Sequence, residues 1–183
     1  MDAGTDDFIT KPINKNELLL RVRAMLDEDG KAIDTARAVA GRLDLPLVTL
    51  PTSAATCSAA STVSVIYENG IRTDTIYGKA AELVLVDSAI VAAAPSRLLA
   101  AGMGDTLAKW YEGKPTYDRT PDPSPSLQAA LAISTQVKET IFDCGLEAKQ
   151  DVDAGENSPA VEKMVEANIL MAGIIGAIGG SKF

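Results

Sequence analysis

Apolar positions near the start of the chain recur at helical spacing: Leu18, Leu19, Val22, Met25 and Leu26. A short extended run holding Phe8 and Ile9 precedes them and ends at Lys11-Pro12, with Asn14 or Asn16 as the helix cap. A second helix is predicted over 32–42, with Ala36, Val39, Ala40 and Leu43 inward and Asp34 in its first turn, where the helix dipole favours a carboxylate. Residues 45–50 are an apolar run of strand length, as in a buried parallel strand. Residues 52–62 are mostly small, which lets a backbone come close to a ligand or to another segment. Two β-rich runs, 63–67 and 71–77, flank Asn69-Gly70 and predict a hairpin. Residues 83–86 form another apolar strand, followed by Asp87.

After Pro95 the pattern turns helical. Ser96 is the predicted N-cap of a helix reaching Glu112. Residues 113–126 hold Pro115, Pro121, Pro123 and Pro125 and read as a linker. Helices are predicted over 127–148 and 158–178. The fold class is therefore α/β, a Rossmann-like or flavodoxin-like parallel sheet, followed by an all-α region. The predicted division is 1–29, a strand–helix segment completing the α/β part; 30–112, the α/β region proper; 113–126, the linker; and 127–183, a partial helical domain.

Composition narrows the chemistry. In 183 residues, 46% are hydrophobic and 23% charged, a globular balance. The net charge of −8 gives no general attraction to nucleic acid. Two cysteines, Cys57 and Cys144, make no disulfide framework and suit a reducing cytoplasm. No secretory pattern opens the chain, and the longest apolar run, 169–178, is half the ~20 residues of a membrane span. A soluble cytoplasmic protein without membrane or nucleic-acid partners is expected. The chain has no histidine, so it cannot by itself build a Ser-His-Asp triad, a Cys-His pair or a His-ligated metal site.

Three segments carry a resemblance: Gly30-Lys31-Ala32-Ile33-Asp34-Thr35-Ala36, the run from Pro51 through Cys57 to Tyr67, and Ser96 through Gly102-Met103-Gly104-Asp105-Thr106 to Glu112. In this order and spacing, residues 30–183 resemble the glycerol dehydrogenase branch of the iron- or zinc-containing alcohol dehydrogenases. The Ala-Ala-Thr-Cys stretch looks closest to a branch acting on hydroxycarboxylates or unassigned alcohols. The resemblance implies an NAD-dependent, metal-dependent oxidoreductase of polyols or hydroxycarboxylates, with a small alcohol or hydroxy acid as partner. It implies cofactor contacts at Gly30, Lys31, Asp34, Thr52, Ser61, Val63 and Tyr67, and one metal-ligand carboxylate at Asp105. In that family the metal polarises the substrate oxygen while hydride passes to or from nicotinamide. Cys57 falls where glycerol dehydrogenases carry a substrate-contacting aspartate, a departure that argues against glycerol itself. The plain alternative for Cys57 is a small buried residue. The family's two metal histidines lie beyond the point where this chain stops, so an impaired or inactive enzyme is expected.

Residues 1–28, from Ala3-Gly4-Thr5-Asp6-Asp7-Phe8-Ile9-Thr10-Lys11-Pro12 to Leu26, are similar to the end of a response-regulator receiver domain. The chain thus reads as a chimera of two truncated α/β proteins joined near 27–30, and a non-catalytic structural module is the competing expectation. At the junction, Glu28 and Asp29 stand where the dehydrogenases carry glycines. Carboxylates beside a pyrophosphate repel it: one like-charge pair at ~6 Å and an effective dielectric of ~20 costs about 3 kcal/mol before screening. Weak or no NAD binding follows. An apolar face of Ile169, Leu170, Ile174, Ile175 and Ile178 is expected to drive homo-oligomerisation or aggregation.

Overall fold

The computed structural model describes residues 31–68 and 71–179. The strand–helix segment and junction expected within 1–30, Gly30 included, lie outside them, as does the Asn69-Gly70 turn. Helix α1 (Lys31–Leu43) carries the predicted acidic first turn at Asp34. Its buried stripe is Ile33, Ala36, Arg37 and Ala40, at i, i+3, i+4 and i+7. The expected inward face is rotated: Val39 is only half-buried and Leu43 is 45% exposed. The cause is Arg37, which turns into the interior because its guanidinium finds acceptors there.

Strand β1 (Val48–Thr49) pairs in parallel with β4 (Leu83–Val84), Val48 opposite Leu83 and Thr49 opposite Val84. The hydrogen bonds Glu82 N to Leu47 O (2.8 Å) and Leu85 N to Thr49 O (2.9 Å) extend the pairing. The two apolar runs therefore yield shorter strands than their lengths predict. Between them, β2 (Val63–Glu68) and β3 (Ile71–Tyr77) form the predicted antiparallel hairpin, with a register irregularity between Ile66 and Tyr67.

Asp87 caps a short helix, α2 (Ser88–Ala92), by accepting from Ala89 N (2.9 Å) and Ile90 N (3.4 Å). Helix α3 (Ser96–Asp118) starts after Pro95, and Ser96 is its first residue, not its cap. It also runs through Pro115, so the predicted linker is helical to Asp118. Proline removes one intrahelical bond, normally costly; here Lys114 bonds Asp118 across that turn (2.6 Å) and α3 lies against α4 (Pro125–Asp153). Trp110 fastens the two helices, its indole N–H donating to Thr135 (3.2 Å) while Lys138 sits 4.0 Å over the ring. Ser124 and Ser158 cap α4 and α5 (Pro159–Glu166), each with proline at the first helical position.

A π-helical turn (Ala167–Met171) separates α5 from α6 (Ala172–Gly179). The core joins Leu99, Val137, Ala148, Val152, Val161, Met164, Val165, Ile169 and Ile175 to Ala54, Ala59, Val91 and Ala92. Ile169 and Ile175 are therefore interior, which corrects the expected exposed C-terminal face; Leu170 alone of that pair of turns is 45% exposed. Open apolar surface lies instead around β4 and α2, at Leu83, Leu85, Val86 and Ile90. Among the described residues, no helix is long and apolar enough to cross a membrane.

Candidate functional site

The small-residue segment after β1 is pinned on several sides by buried polar groups. Thr49 Oγ1 donates to Ala59 O (3.0 Å). Arg37, 1% exposed, donates to Val63 O (3.1 Å), to Ser64 Oγ (3.4 Å) and to Ser58 O. Asn168, fully buried in the π-turn, donates to Ala54 O and to Leu99 O (3.1 Å each) and accepts from Thr106 Oγ1 (3.3 Å). A π-turn displaces one residue from the regular ladder and re-aims its side chain; here that side chain bridges the segment to α3.

Two glycines let the backbones meet. A Cβ at Gly102 would lie 1.8 Å from Ala54 O, and one at Gly173 2.7 Å from Ala60 Cβ. The run of small residues thus serves contact with the chain's own helices. It carries Cys57 along with it.

Cys57 lies within electrostatic range of Asp105 and Lys109 on α3, and of Arg37 on α1. Asp105 and Lys109 are one helical turn apart and share a face. Cys57 and Lys109 are half-buried and Asp105 is exposed. Burial pushes the Cys57 thiol up, the Lys109 ammonium opposes the rise, and the Asp105 carboxylate adds to it. The predicted substrate-contact residue and the predicted metal carboxylate are therefore neighbours.

The residues assigned to a nucleotide divide between two places. Thr52 is exposed and lines a pocket of about 360 Å³ with Leu50, Pro51, Leu85, Val86, Asp87 and Ile90. This pocket lies just past the carboxyl ends of β1 and β4, where open parallel sheets take ligands. Asp34, Ser61 and Val63 gather elsewhere, around Arg37. Asp34 accepts from Arg37 Nη1 (2.9 Å) and from Val65 N (3.1 Å). Burial pushes its carboxyl pKa up from the ordinary aspartate value, against the pull of those bonds. Ser61 Oγ accepts from Val63 N (3.0 Å). Lys31 opens α1 and Tyr67 lies in β2.

Arg37, Lys109 and Asn168 are not among the candidate residues that the sequence singles out. Each had a signal: Arg37 stands three residues after Asp34, Lys109 four after Asp105, and Asn168 is an isolated polar residue ahead of an apolar run.

The donor set around Asp105 is small. Among the described residues no three His, Cys, Asp or Glu side chains gather as a metal cage, and the sequence holds no histidine. One carboxylate beside one thiol falls short of the three protein ligands of a catalytic zinc site. These residues alone do not fit a resident transition metal.

Residues 29–95 match the sequence profile of the iron-containing alcohol dehydrogenases. A glycerol dehydrogenase of Thermotoga maritima is 41% identical over 156 residues, covering 82% of this chain and 43% of that protein. Hydroxycarboxylate dehydrogenase A of Escherichia coli K12 is 32% identical over 152 residues, covering 82% and 42%. The crystal structure of a probable glycerol dehydrogenase from Sinorhizobium meliloti 1021 superposes with a TM-score of 0.75 at 35% identity, covering 80% of this chain and 43% of that one. The chain thus spans less than half the length of each of these three relatives. Over that span it belongs with the iron-containing alcohol dehydrogenases and is glycerol dehydrogenase-like.

Proposed function

From that kinship we propose that the chain is the nucleotide- and substrate-facing part of an NAD-dependent dehydrogenase of polyols or hydroxycarboxylates. The observation that supports this reading is that Cys57 lies within electrostatic range of Asp105 and Lys109, which are one turn apart on α3. The fold brings together, from distant segments, the two positions that resemblance assigns to substrate and to metal.

NAD⁺, when bound, supplies the hydride acceptor. The chain's own residues do the positioning. The apolar walls of Leu50, Leu85, Val86 and Ile90 bury one flat ring, and the Thr52 hydroxyl offers a hydrogen bond at its rim. Asp87 is already engaged in capping α2, and Asp34 in holding Arg37 and β2, so neither carboxylate is free for a ribose. The Asp105 carboxylate and the Cys57 thiol flank the substrate's alcohol carbon. A metal held at Asp105 would need further donors besides this carboxylate and the Cys57 thiol.

This incomplete set gives weak NAD⁺ binding and no turnover from the chain alone. The test is a two-dimensional amide spectrum of labelled protein with and without millimolar NAD⁺. Shifts centred on Thr52 and its pocket support a retained nucleotide surface. Dispersed peaks that do not move favour the second reading, a non-catalytic α/β module, which rests on the absence of a three-donor cluster among the described residues. A calorimetric dissociation constant below about 100 µM would overturn the expectation of weak binding.

A further inference from the structure

A cavity of about 380 Å³ opens between α1 and the β2–β3 hairpin and shares no lining residue with the Thr52 pocket. Every charged side chain on its lining is basic: Arg37 and Arg42 from α1, and Lys79 just after β3. That runs against a net charge of −8 and against the cavities elsewhere, whose linings include Asp87, Asp143 with Glu166, or Glu162 with Glu166. Arg37, 1% exposed, and the fully buried Ser64 make the floor, and the exposed Arg42, Tyr77 and Lys79 make the rim. The acids that pair with these cations, Asp34 with Arg37 and Asp44 with Lys79, stand off the lining. The Lys79–Asp44 pair is exposed at both ends, so it holds the ammonium weakly.

One nitrogen of Arg37 is left over. Nη1 donates to Asp34, Val63 O and Ser64 Oγ, and Nη2 donates to Ser58 O. Nε is buried and has no partner among the described residues. Buried donors are nearly always paired, so this one marks a place for an acceptor. Nε is bonded to Cδ, which lies 3.7 Å from the point where a Cβ on Gly78 would stand. Glycine at 78 therefore leaves the cavity wall beside Nε without a side chain.

We propose that this cavity binds a phosphate-type oxyanion, free or as the terminal group of a small phosphomonoester, held between Arg42 and Lys79 and accepting from Arg37 Nε. Guanidinium donors match phosphate oxygens in spacing and charge, and an ammonium adds a movable point charge. Ile76 and the Tyr77 ring offer apolar surface to the organic part of an ester. The site is separate from the proposed NAD⁺ surface and does not rest on the dehydrogenase reading.

The test is a titration of the ¹⁵N-labelled chain with sodium phosphate against sodium chloride of equal ionic strength, following the Arg37 Nε–H cross-peak and the backbone amides. The expected result is a saturable downfield shift of that peak, with the amides of Gly41, Gly78 and Lys79, half-complete at about 1–5 mM phosphate in low salt. Arg42→Gln and Lys79→Gln, both on the exposed rim, are each expected to weaken binding about threefold or more. Gly78→Leu keeps every charge and lays a side chain along the Arg37 stem; it is expected to abolish the Nε–H shift. Acetate, with one charge and two oxygens, is expected to bind at least about fivefold more weakly than phosphate. Phenyl phosphate binding more tightly than inorganic phosphate identifies the ligand as an ester, and equal binding identifies it as free phosphate. An Nε–H peak unmoved by about 50 mM phosphate, the same shift in chloride, acetate binding as tightly, full affinity in R42Q and K79Q, or shifts centred on Thr52 instead would each overturn the proposal. NAD⁺ binding at Thr52 without the phosphate response defeats this site alone, and the phosphate response without NAD⁺ binding defeats the dehydrogenase reading alone.

Discussion

The side-chain amide of Asn168 donates to the main-chain carbonyl of Ala54 at 3.1 Å, joining residues 114 apart in sequence. The same amide donates to Leu99 O, at the start of α3. The helical region thereby sets where the Cys57 segment sits on the helix that bears Asp105 and Lys109. Replacing Asn168 with leucine keeps the volume and removes the donor to Ala54 O and to Leu99 O. A loss of about 2–4 kcal/mol is expected in urea denaturation. Thr106→Val, which removes only the bond to Asn168 Oδ1, is expected to cost about 1 kcal/mol. An Asn168→Leu protein as stable as the parent would show that this bridge does not hold the junction.

Two glycines in the same helix are predicted to respond in opposite directions. Gly102→Ala places a methyl 1.8 Å from Ala54 O, and backbone cannot yield as a flexible side chain does. It is expected to cost about 3 kcal/mol or more. Gly104 has nothing within 4 Å of its added Cβ. Gly104→Ala is expected to stabilise by about 0.5–1 kcal/mol, through helix propensity alone. Thermal melts of the two variants, side by side, check both signs.

Asp34 gives a pH dependence of unusual sign for a carboxylate in an ion pair. Burial raises its pKa above 3.8 in the folded chain, outweighing Val65 N–H and Arg37. The folded state therefore holds this proton more tightly than the unfolded state does. The associated stability is full below the unfolded value and is lost as pH rises through the folded one. Relative to Asp34→Asn, the parent protein is expected to lose stability across that window and to change no further above it. Parallel urea titrations of the two proteins at a series of pH values read the difference directly. A difference that grows in the parent's favour with pH would reverse the assigned cause.

Arg37 bears the other half of that arrangement. Its guanidinium reaches Asp34, Ser58 O, Val63 O and Ser64, while its Nε has no partner among the described residues. Arg37→Met fills the space with an apolar chain but leaves Asp34 and the carbonyls unpaired. A loss of about 3 kcal/mol or more is expected, by the rule that one half of a buried pair is costly without the other. Adding Asp34→Asn to Arg37→Met should recover part of it.

The open apolar surface predicts self-association by a different face from the one the sequence suggests. Leu83 in β4 and Leu85 just past its end are 47% and 49% exposed, and Ile90 in α2 is 50% exposed. Parallel strands are normally covered on both faces. Leu85→Lys is expected to shift the protein toward monomer in light scattering at about 100 µM, while Leu170→Lys changes little. The reverse ranking would return the association to the C-terminal helices.

Much of the layout was legible in the sequence. The hairpin over 63–77 is fixed by β-rich runs around Asn-Gly, a local signal that needs no partner. The parallel pairing of β1 with β4 follows from two apolar runs separated by other structure. The end of α3 departs from the sequence expectation because Pro115 is a strong local breaker, whereas the packing of α3 on α4 is not visible along the chain. The inward face of α1 differs from the expected one for a similar reason. Hydrophobic periodicity counts Arg37 as polar, and only the acceptors at 58–64 make its burial favourable.

The sequence by itself determined the types of element, the kinship carried by the runs around Cys57 and Asp105, and the lack of histidine. Tertiary structure decided which of these residues meet. Cys57 reaches Asp105 and Lys109 because a buried asparagine in a π-turn, and glycines that admit backbone contact, bring three segments together. Such contacts are long-range and depend on shape and on the pairing of buried polar groups, neither of which leaves a periodic trace in the order of amino acids.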